Sequence, residues 1–403
     1  DATFKAVRSQ YEASLAKAEQ AKALLRPTAG LGATVSESDF DNKTSTNADA
    51  RYGTRTATLS ASQPLFRPAN LAGYRQGLKQ VDLAQAQLKA AEQDLIVRVS
   101  QAYFDVLTAQ ESLAFVKAQK SAVSEQLAAA KRNFEVGTST ITDTREAQAR
   151  YDLVTAQEIA ADNDLRVKKL ALDQSVGTKN AQPLALKAGA NLNPAATGDA
   201  ETWVQQATEQ SPAIEQARTG LEVAQLETEK AKAGHMPTLD LTASFGATRY
   251  RNGNVTSRID NNVGTIGLNF NLPLYAGHAT QNRIQETVAL EEKARNDLDA
   301  AQRTVAQATR TAFFGVQSGL GQVKALEAAE ASSQSALDAN KLGYQVGVRI
   351  NIDVLNSQSQ LFQTKRDLAK ARYDVLLGQL KLKQAAGVLK VEDVQTLNGL
   401  FGR

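Results

Sequence analysis

The sequence predicts an internally duplicated α+β chain, in which four strands are set among very long coiled-coil helices. Three observations carry that prediction. The chain repeats itself at an offset of 210 residues, its apolar residues recur at spacings of 3, 4 and 7 through long segments, and four shorter segments switch to a period of 2. Composition agrees: aromatic residues make up only 5% of the 403 residues, a mix that favours long helices over a thick globular core.

The duplication comes first because every element depends on it. Pro27-Thr28 returns as Pro237-Thr238, Tyr103-Phe104 as Phe313-Phe314, and Val136-Gly137 as Val346-Gly347. Asp143 returns as Asp353 and Gly177 as Gly387, all at the same offset of 210. The segments Gln63-Pro64-Leu65-Phe66 and Leu272-Pro273-Leu274-Tyr275 match at 209, a slip of one residue in a loop. The first repeat is expected over 1–210, with strands at 29–40 and 52–66, a long helix at 68–135, a medium helix at 141–176 and a linker at 178–211. The second is expected over 211–403, with strands at 238–250 and 263–275, a long helix at 278–345, a medium helix at 351–386 and a tail at 388–403. A short helix precedes the strands, over 3–25 in the first repeat.

The first long helix has its apolar seam at Leu71, Leu78, Val81, Leu88, Leu95, Val99, Val106, Leu113, Val116, Val123, Leu127 and Phe134. That is the heptad rhythm of a coiled coil. Val288, Leu298, Val305, Val316, Val323, Leu326, Leu337 and Tyr344 repeat it in the second. At 1.5 Å per residue each such helix is roughly 100 Å long, more than a compact domain holds. The short and medium helices together nearly match that length.

In the strands the period is 2. Leu239, Leu241, Ala243, Phe245 and Ala247 alternate with polar residues, as do Ile266, Leu268, Phe270 and Leu272. Ala57, Leu59 and Ala61, and Leu31, Ala33 and Val35, do the same in the first repeat. Each segment is about as long as a tilted membrane-spanning strand needs. The segments 37–52 and 250–262 are rich in Asn, Asp, Ser, Thr and Gly, as exposed loops are. A half-buried soluble sheet shows the same alternation, but helices committed to a coiled coil leave little to bury one here. Four strands do not close a barrel, and an open edge cannot face lipid. Two subunits would pool eight strands and three would pool twelve, and strand physics does not choose between them.

Other classes are excluded or weakened. No run approaches twenty apolar residues, so no transmembrane helix is expected. There is no cysteine, hence no disulfide, thiolate metal site or cysteine nucleophile. The net charge of +3 gives no argument for nucleic acid. The two histidines, His235 and His278, flank strand ends and join no catalytic constellation, and no nucleotide motif is present. No enzyme activity, cofactor or metal is expected. Gly315, Gly319 and Gly321 lie mid-helix, where close helix packing or local bending explains them. A leader removed ahead of Asp1 is expected. A cytoplasmic coiled-coil scaffold without a pore is the competing reading.

Specific strings then match a family. The run from Gly234-His235-Met236-Pro237-Thr238 to Ser244 resembles the strand entry of the TolC family of outer-membrane efflux and type I secretion channels. So do Tyr344-Gln345-Val346-Gly347-Val348-Arg349 followed by Asp353-Val354-Leu355, Ala102-Tyr103-Phe104-Asp105-Val106-Leu107, and Ile141-Thr142-Asp143 leading to Ala149-Arg150-Tyr151-Asp152. The resemblance covers essentially the whole chain. It implies a homotrimer with a 12-stranded β-barrel in the outer membrane, continuous with a 12-helix periplasmic α-barrel. The implied partners are outer-membrane lipid, a periplasmic adaptor (membrane fusion) protein and, through it, an inner-membrane pump of RND, ABC or MFS type. The linker at 178–211 and the tail from 388 would form an irregular equatorial belt, with Pro183 and Pro194 in it.

The resemblance also implies site residues. Val136, Gly137 and Thr138, with Val346, Gly347 and Val348, would be adaptor-docking turns, the last position departing from the family's threonine. Asp353 would form an acidic ring in the periplasmic gate, a device that selects cations. Asn356 stands where many relatives carry a second aspartate. Thr142, Asp143, Tyr344 and Arg349 would form a latch holding the tip shut. Glycine ending a helix and an aspartate in a first helical turn also have purely structural uses.

Overall fold

A computed structural model describes residues 1–40, 50–187, 192, 198–251 and 260–402. The inner parts of the two predicted strand loops, and Pro194 with most of the Asn- and Gly-rich run before it, lie outside the described residues. The chain forms two compact units, one of Arg8–Ala86 and Glu215–Ala300, the other of Asp1–Val7, Gln87–Ile214 and Ala301–Arg403.

The first unit holds the sheet. Strands β1 (Thr28–Phe40), β2 (Ala50–Phe66), β3 (Thr238–Arg251) and β4 (Asn261–Asn271) are antiparallel and ordered β1-β2-β3-β4. The β2–β3 pairing therefore joins the two halves of the sequence. Register turns the alternation into faces. Leu31 lies opposite Leu59, and Leu59 opposite Phe245; Ala29, Ala61, Ala243 and Ile266 form the next apolar row. Between these run polar rows such as Gly30, Ser60, Ser244 and Thr265. The apolar face is uncovered: Leu31 is 77% exposed, Ile266 76% and Leu268 66%. Strand β4 stops at Asn271 rather than continuing to 275. Pro273, two residues on, has no N–H to give a ladder.

The helical part of this unit comprises α1 (Ala2–Ala23), α5 (Pro212–Lys232) and the first turns of α2 (Pro68–Glu135) and α6 (Ala279–Gln345). Here small residues replace the expected seam. Leu71 and Leu78 are exposed, while Ala72 and Ala84 are buried. A Cβ at Gly77 would stand 3.3 Å from the Ala21 Cβ, so α1 and α2 approach too closely for leucine. Glu227 on α5 accepts from Gln76 on α2 at 3.0 Å and Arg283 on α6 at 2.6 Å, tying the three helices together.

In the second unit the seam is buried through Val106, Leu113, Val116, Val123 and Leu127 of α2, and through Val316, Val323 and Leu337 of α6. Helix α7 (Asn351–Ala385) packs between partners. Leu355 joins residues of α2 and of α3 (Ile141–Val176), while Val354 beside it joins Leu337 of α6. Of the three mid-helix glycines only Gly319 serves close packing: a Cβ there would lie 2.9 Å from Val375, whereas Gly315 and Gly321 meet nothing.

The belt segments are partly helical, which corrects the expectation of irregular chain. Asp199 caps α4 (Ala200–Gln210), accepting from the Ala200 N–H at 2.7 Å, and α8 (Val391–Asn398) lies in the tail. Phe104 stacks on Tyr373 and Phe401, and Tyr103 Oη both accepts from the Leu184 N–H and donates to its carbonyl. After α3, Asp173 accepts from the N–H groups of Ala181 and Asn180, which hold its carboxyl below the ordinary range.

Candidate functional site

The two turns that follow the long helices have one geometry. After α2, Gly137 takes φ of 78°, Thr138 N–H donates to the Asn133 carbonyl and Gly137 N–H to that of Phe134. After α6, Gly347 takes φ of 81°, with Val348 N–H to Gly343 and Gly347 N–H to Tyr344. This is the Schellman arrangement, which satisfies the last helical carbonyls and asks for a left-handed residue. It leaves Val136, Val346 and Val348 exposed on two tight turns.

Helix α3 begins with a reciprocal cap. Thr140 Oγ1 accepts from the Asp143 N–H at 3.2 Å, and Asp143 Oδ2 accepts from Thr140 N–H, Thr140 Oγ1 and Ser139 Oγ. Burial works to raise the Asp143 carboxyl, but these bonds outweigh it and hold the group below its ordinary value. Asp143 Oδ1 and the exposed Thr142 hydroxyl have no hydrogen-bond partner among the described residues.

Arg349 pairs within its own chain with Asp353, one helical turn on, at 3.8 Å. Tyr344 Oη accepts from Asn133 Nδ2 at 3.3 Å. Asn356 Oδ1 accepts from Arg150 Nη2 at 2.9 Å. Within one chain the structure thus joins Arg349 to Asp353, and does not join Arg349 or Tyr344 to Thr142 or Asp143.

Three further residues take part. Asn351 is fully buried, accepting from Gln126 on α2 and donating to the Asp143 carbonyl, so it bolts three helices at the tip. Its counterpart at the repeat offset is Ile141, so periodicity hides it. Gly343 makes room for Arg349, since a Cβ there would lie 2.7 Å from Arg349 Cγ. Arg150 sat inside a matched string, but its contact with Asn356, 206 residues away, is set by packing of α3 on α7.

Among the described residues no group of His, Asp and Glu is arranged to hold a metal, and no helix is long and apolar enough to cross a membrane. The ends of these helices present charged and hydroxyl groups to solvent.

The chain is similar to known proteins over nearly its whole length. The family model described as outer membrane efflux protein matches residues 1–178 and 203–388. The outer membrane protein TolC of Vibrio cholerae serotype O1 is 32% identical over 99% of this chain and 90% of its own length. The alkaline protease secretion protein AprF of Pseudomonas aeruginosa is 29% identical over 100% of this chain and 85% of its own. Among solved structures, the outer membrane protein VceC of Vibrio cholerae superposes with a TM-score of 0.81 at 20% identity, covering 94% of this chain and 92% of that one, which speaks to the fold.

Proposed function

The chain belongs to the outer membrane efflux protein family, and on that premise we propose how its copies assemble and how its tip is gated. It is an outer-membrane exit duct for efflux and type I secretion, not an enzyme, and it works with the other members of a tripartite pump. Three copies would pool their four-stranded sheets into a twelve-stranded barrel. Their long and medium helices would continue it as a twelve-helix α-barrel in the periplasm.

The observation that carries this reading is the sheet. It has one uncovered apolar face and, among the described residues, two unpaired edges, β1 and β4. An apolar face of that extent needs lipid, and edges in lipid must be closed. Joining β4 of one copy to β1 of the next closes them. We also read the chain as two copies of one unit, 1–210 and 211–403; the matching bonds of its two tip turns support this.

At the tip, the exposed valine turns Val136-Gly137-Thr138 and Val346-Gly347-Val348 would dock a periplasmic adaptor, which would link the duct to an RND, ABC or MFS pump. Asp353 would ring the constriction, Asn356 adding no charge. Arg349 and Tyr344 of one hairpin would latch onto Asp143 and Thr142 of a neighbouring one, where Asp143 Oδ1 stands open. Cross-linking in detergent and conductance in planar bilayers test the assembly. Three-copy products and ion-conducting steps are expected. A stable monomer with a folded sheet and no conductance would sink the reading.

A further inference from the structure

Helix α7 leaves one polar stripe uncovered. Asn356, Gln360, Gln363, Asp367, Lys370 and Asp374 follow at spacings of 4 and 3, all exposed, while Val354, Leu355, Gln358 and Leu361 among them are buried. Asp353, half-buried, heads the stripe. In the single chain this row is open to solvent, and in the proposed ring it would face water.

At the head of this row a cation arrives from another helix. Arg150, on α3, donates from Nη2 to Asn356 Oδ1 at 2.9 Å. Among the described residues its guanidinium forms no ion pair, and Glu146, one turn earlier on α3, is not paired with it. Asp353, the carboxylate nearest along the stripe, already has Arg349 at 3.8 Å. Each copy therefore brings two guanidinium groups to this end of α7, against Asp353 and the cap-bound carboxylate of Asp143.

We propose that Arg150 is a specificity-determining residue of the duct. Held on Asn356, its charge offsets Asp353, and the constriction sorts small ions weakly instead of selecting cations. This rests on reading the tip as the constriction. Guanidinium stays charged at every working pH, and its planar fork suits a fixed amide oxygen. A neutral acceptor at 356 lets that charge remain unneutralised; an aspartate there would absorb it as an ion pair.

The test is the reversal potential of the intact reconstituted protein under a potassium chloride gradient, with block by a trivalent cation as a second readout. Arg150→Gln should move the reversal potential toward that of potassium and lower the blocking concentration several-fold. Arg150→Lys, which keeps the charge, should stay with the parent protein. Asn356→Asp alone should shift selectivity toward cations about as far as Arg150→Gln, because the new carboxylate neutralises Arg150 and leaves Asp353 unopposed; the two combined should shift it most. An unchanged reversal potential in a conducting Arg150→Gln channel overturns the proposal. So does Arg150→Lys moving as far as Arg150→Gln. If Arg150→Gln fails to assemble, Arg150→Met decides: an unchanged reversal potential in that conducting channel overturns the proposal. A parent protein that conducts nothing would instead overturn the duct reading.

Discussion

Arg67 and Asp240, 173 residues apart, meet in a two-bonded fork: Nε lies 2.8 Å from Oδ1 and Nη2 lies 2.6 Å from Oδ2. Asp240 is buried in β3, and Arg67 stands at the junction of β2 and α2. The fork thus pins the start of a long helix to a strand from the other half of the sequence. At the repeat offset the two positions are Gly277 and Gly30, so this fork has no twin.

Asp240→Asn should therefore destabilise the sheet by roughly 1.5–3 kcal/mol, the usual worth of a hydrogen bond to a charged group. Denaturant unfolding of the detergent-solubilised protein measures it. Arg67→Gln should cost about the same, and the double variant little more than either. Additive losses would mean that the two side chains act separately.

Gly177 and Gly387 end corresponding helices with φ of 79° and 74°, yet their surroundings differ. A Cβ at Gly177 meets nothing within 4 Å, while at Gly387 it would lie 2.4 Å from the Gln210 carbonyl oxygen. Gly177→Ala should cost only the left-handed penalty of about 1–2 kcal/mol. Gly387→Ala should lose a further ~1–3 kcal/mol to overpacking. Equal melting shifts would show that the belt yields freely around Ser211.

Arginine on the exposed apolar face, at Phe245 or Leu268, should cost roughly 2–4 kcal/mol at mid-bilayer. Arginine at Thr242 or Asn269, on the polar face, should cost much less. Folding yield into vesicles compares them, and equal tolerance of both faces would reverse the assignment of lipid and lumen.

At the tip, Arg349→Ser and Tyr344→Phe should raise single-channel conductance. In the proposed latch onto Thr142 and Asp143 of a neighbouring hairpin, the first removes the cation and the second the hydroxyl. Asp353→Ala should instead shift selectivity away from cations with a smaller effect on opening. Full opening by Asp353→Ala with no effect of Arg349→Ser would exchange the two roles.

The α3 cap should respond to acid. Asp143 has a depressed pKa in the folded chain, so its stabilisation is complete above the ordinary value of 3.8 and fades as pH falls through the lower folded value. Hydrogen exchange at the start of α3 should accordingly stay slow through mildly acidic pH and quicken only below the ordinary carboxylate range. Asp143→Asn should remove that step; a step that survives belongs to another group.

Local periodicity explains what the sequence disclosed. A change of period from 3.5 to 2 marks a change of backbone, so strands and long helices were legible residue by residue, and glycine in Val136-Gly137 and Val346-Gly347 announced the turns. Pairing across the chain is not periodic. Nothing around Asn351 or Arg150 signals its partner, because each bond forms only once α3 and α7 lie side by side. Leu71 and Leu78 kept the heptad rhythm although Ala72, Ala84 and Gly77 make the close contact there. Spacing reports a face, and residue size decides how near another helix comes to it. The helices within 178–211 and 388–403 are silent for a related reason: α4 and α8 are 11 and 8 residues long, too short to establish a rhythm.

The strand order, two hairpins joined through the β2–β3 pairing with both sheet edges unpaired among the described residues, has a genetic corollary. In the proposed ring every copy must offer one edge and receive on the other. A copy whose β4 is blocked by an inserted proline still receives on β1, so it enters the ring and prevents closure. Such an allele should be dominant over an intact one in the same cell, and more harmful than deletion of the gene copy that carries it.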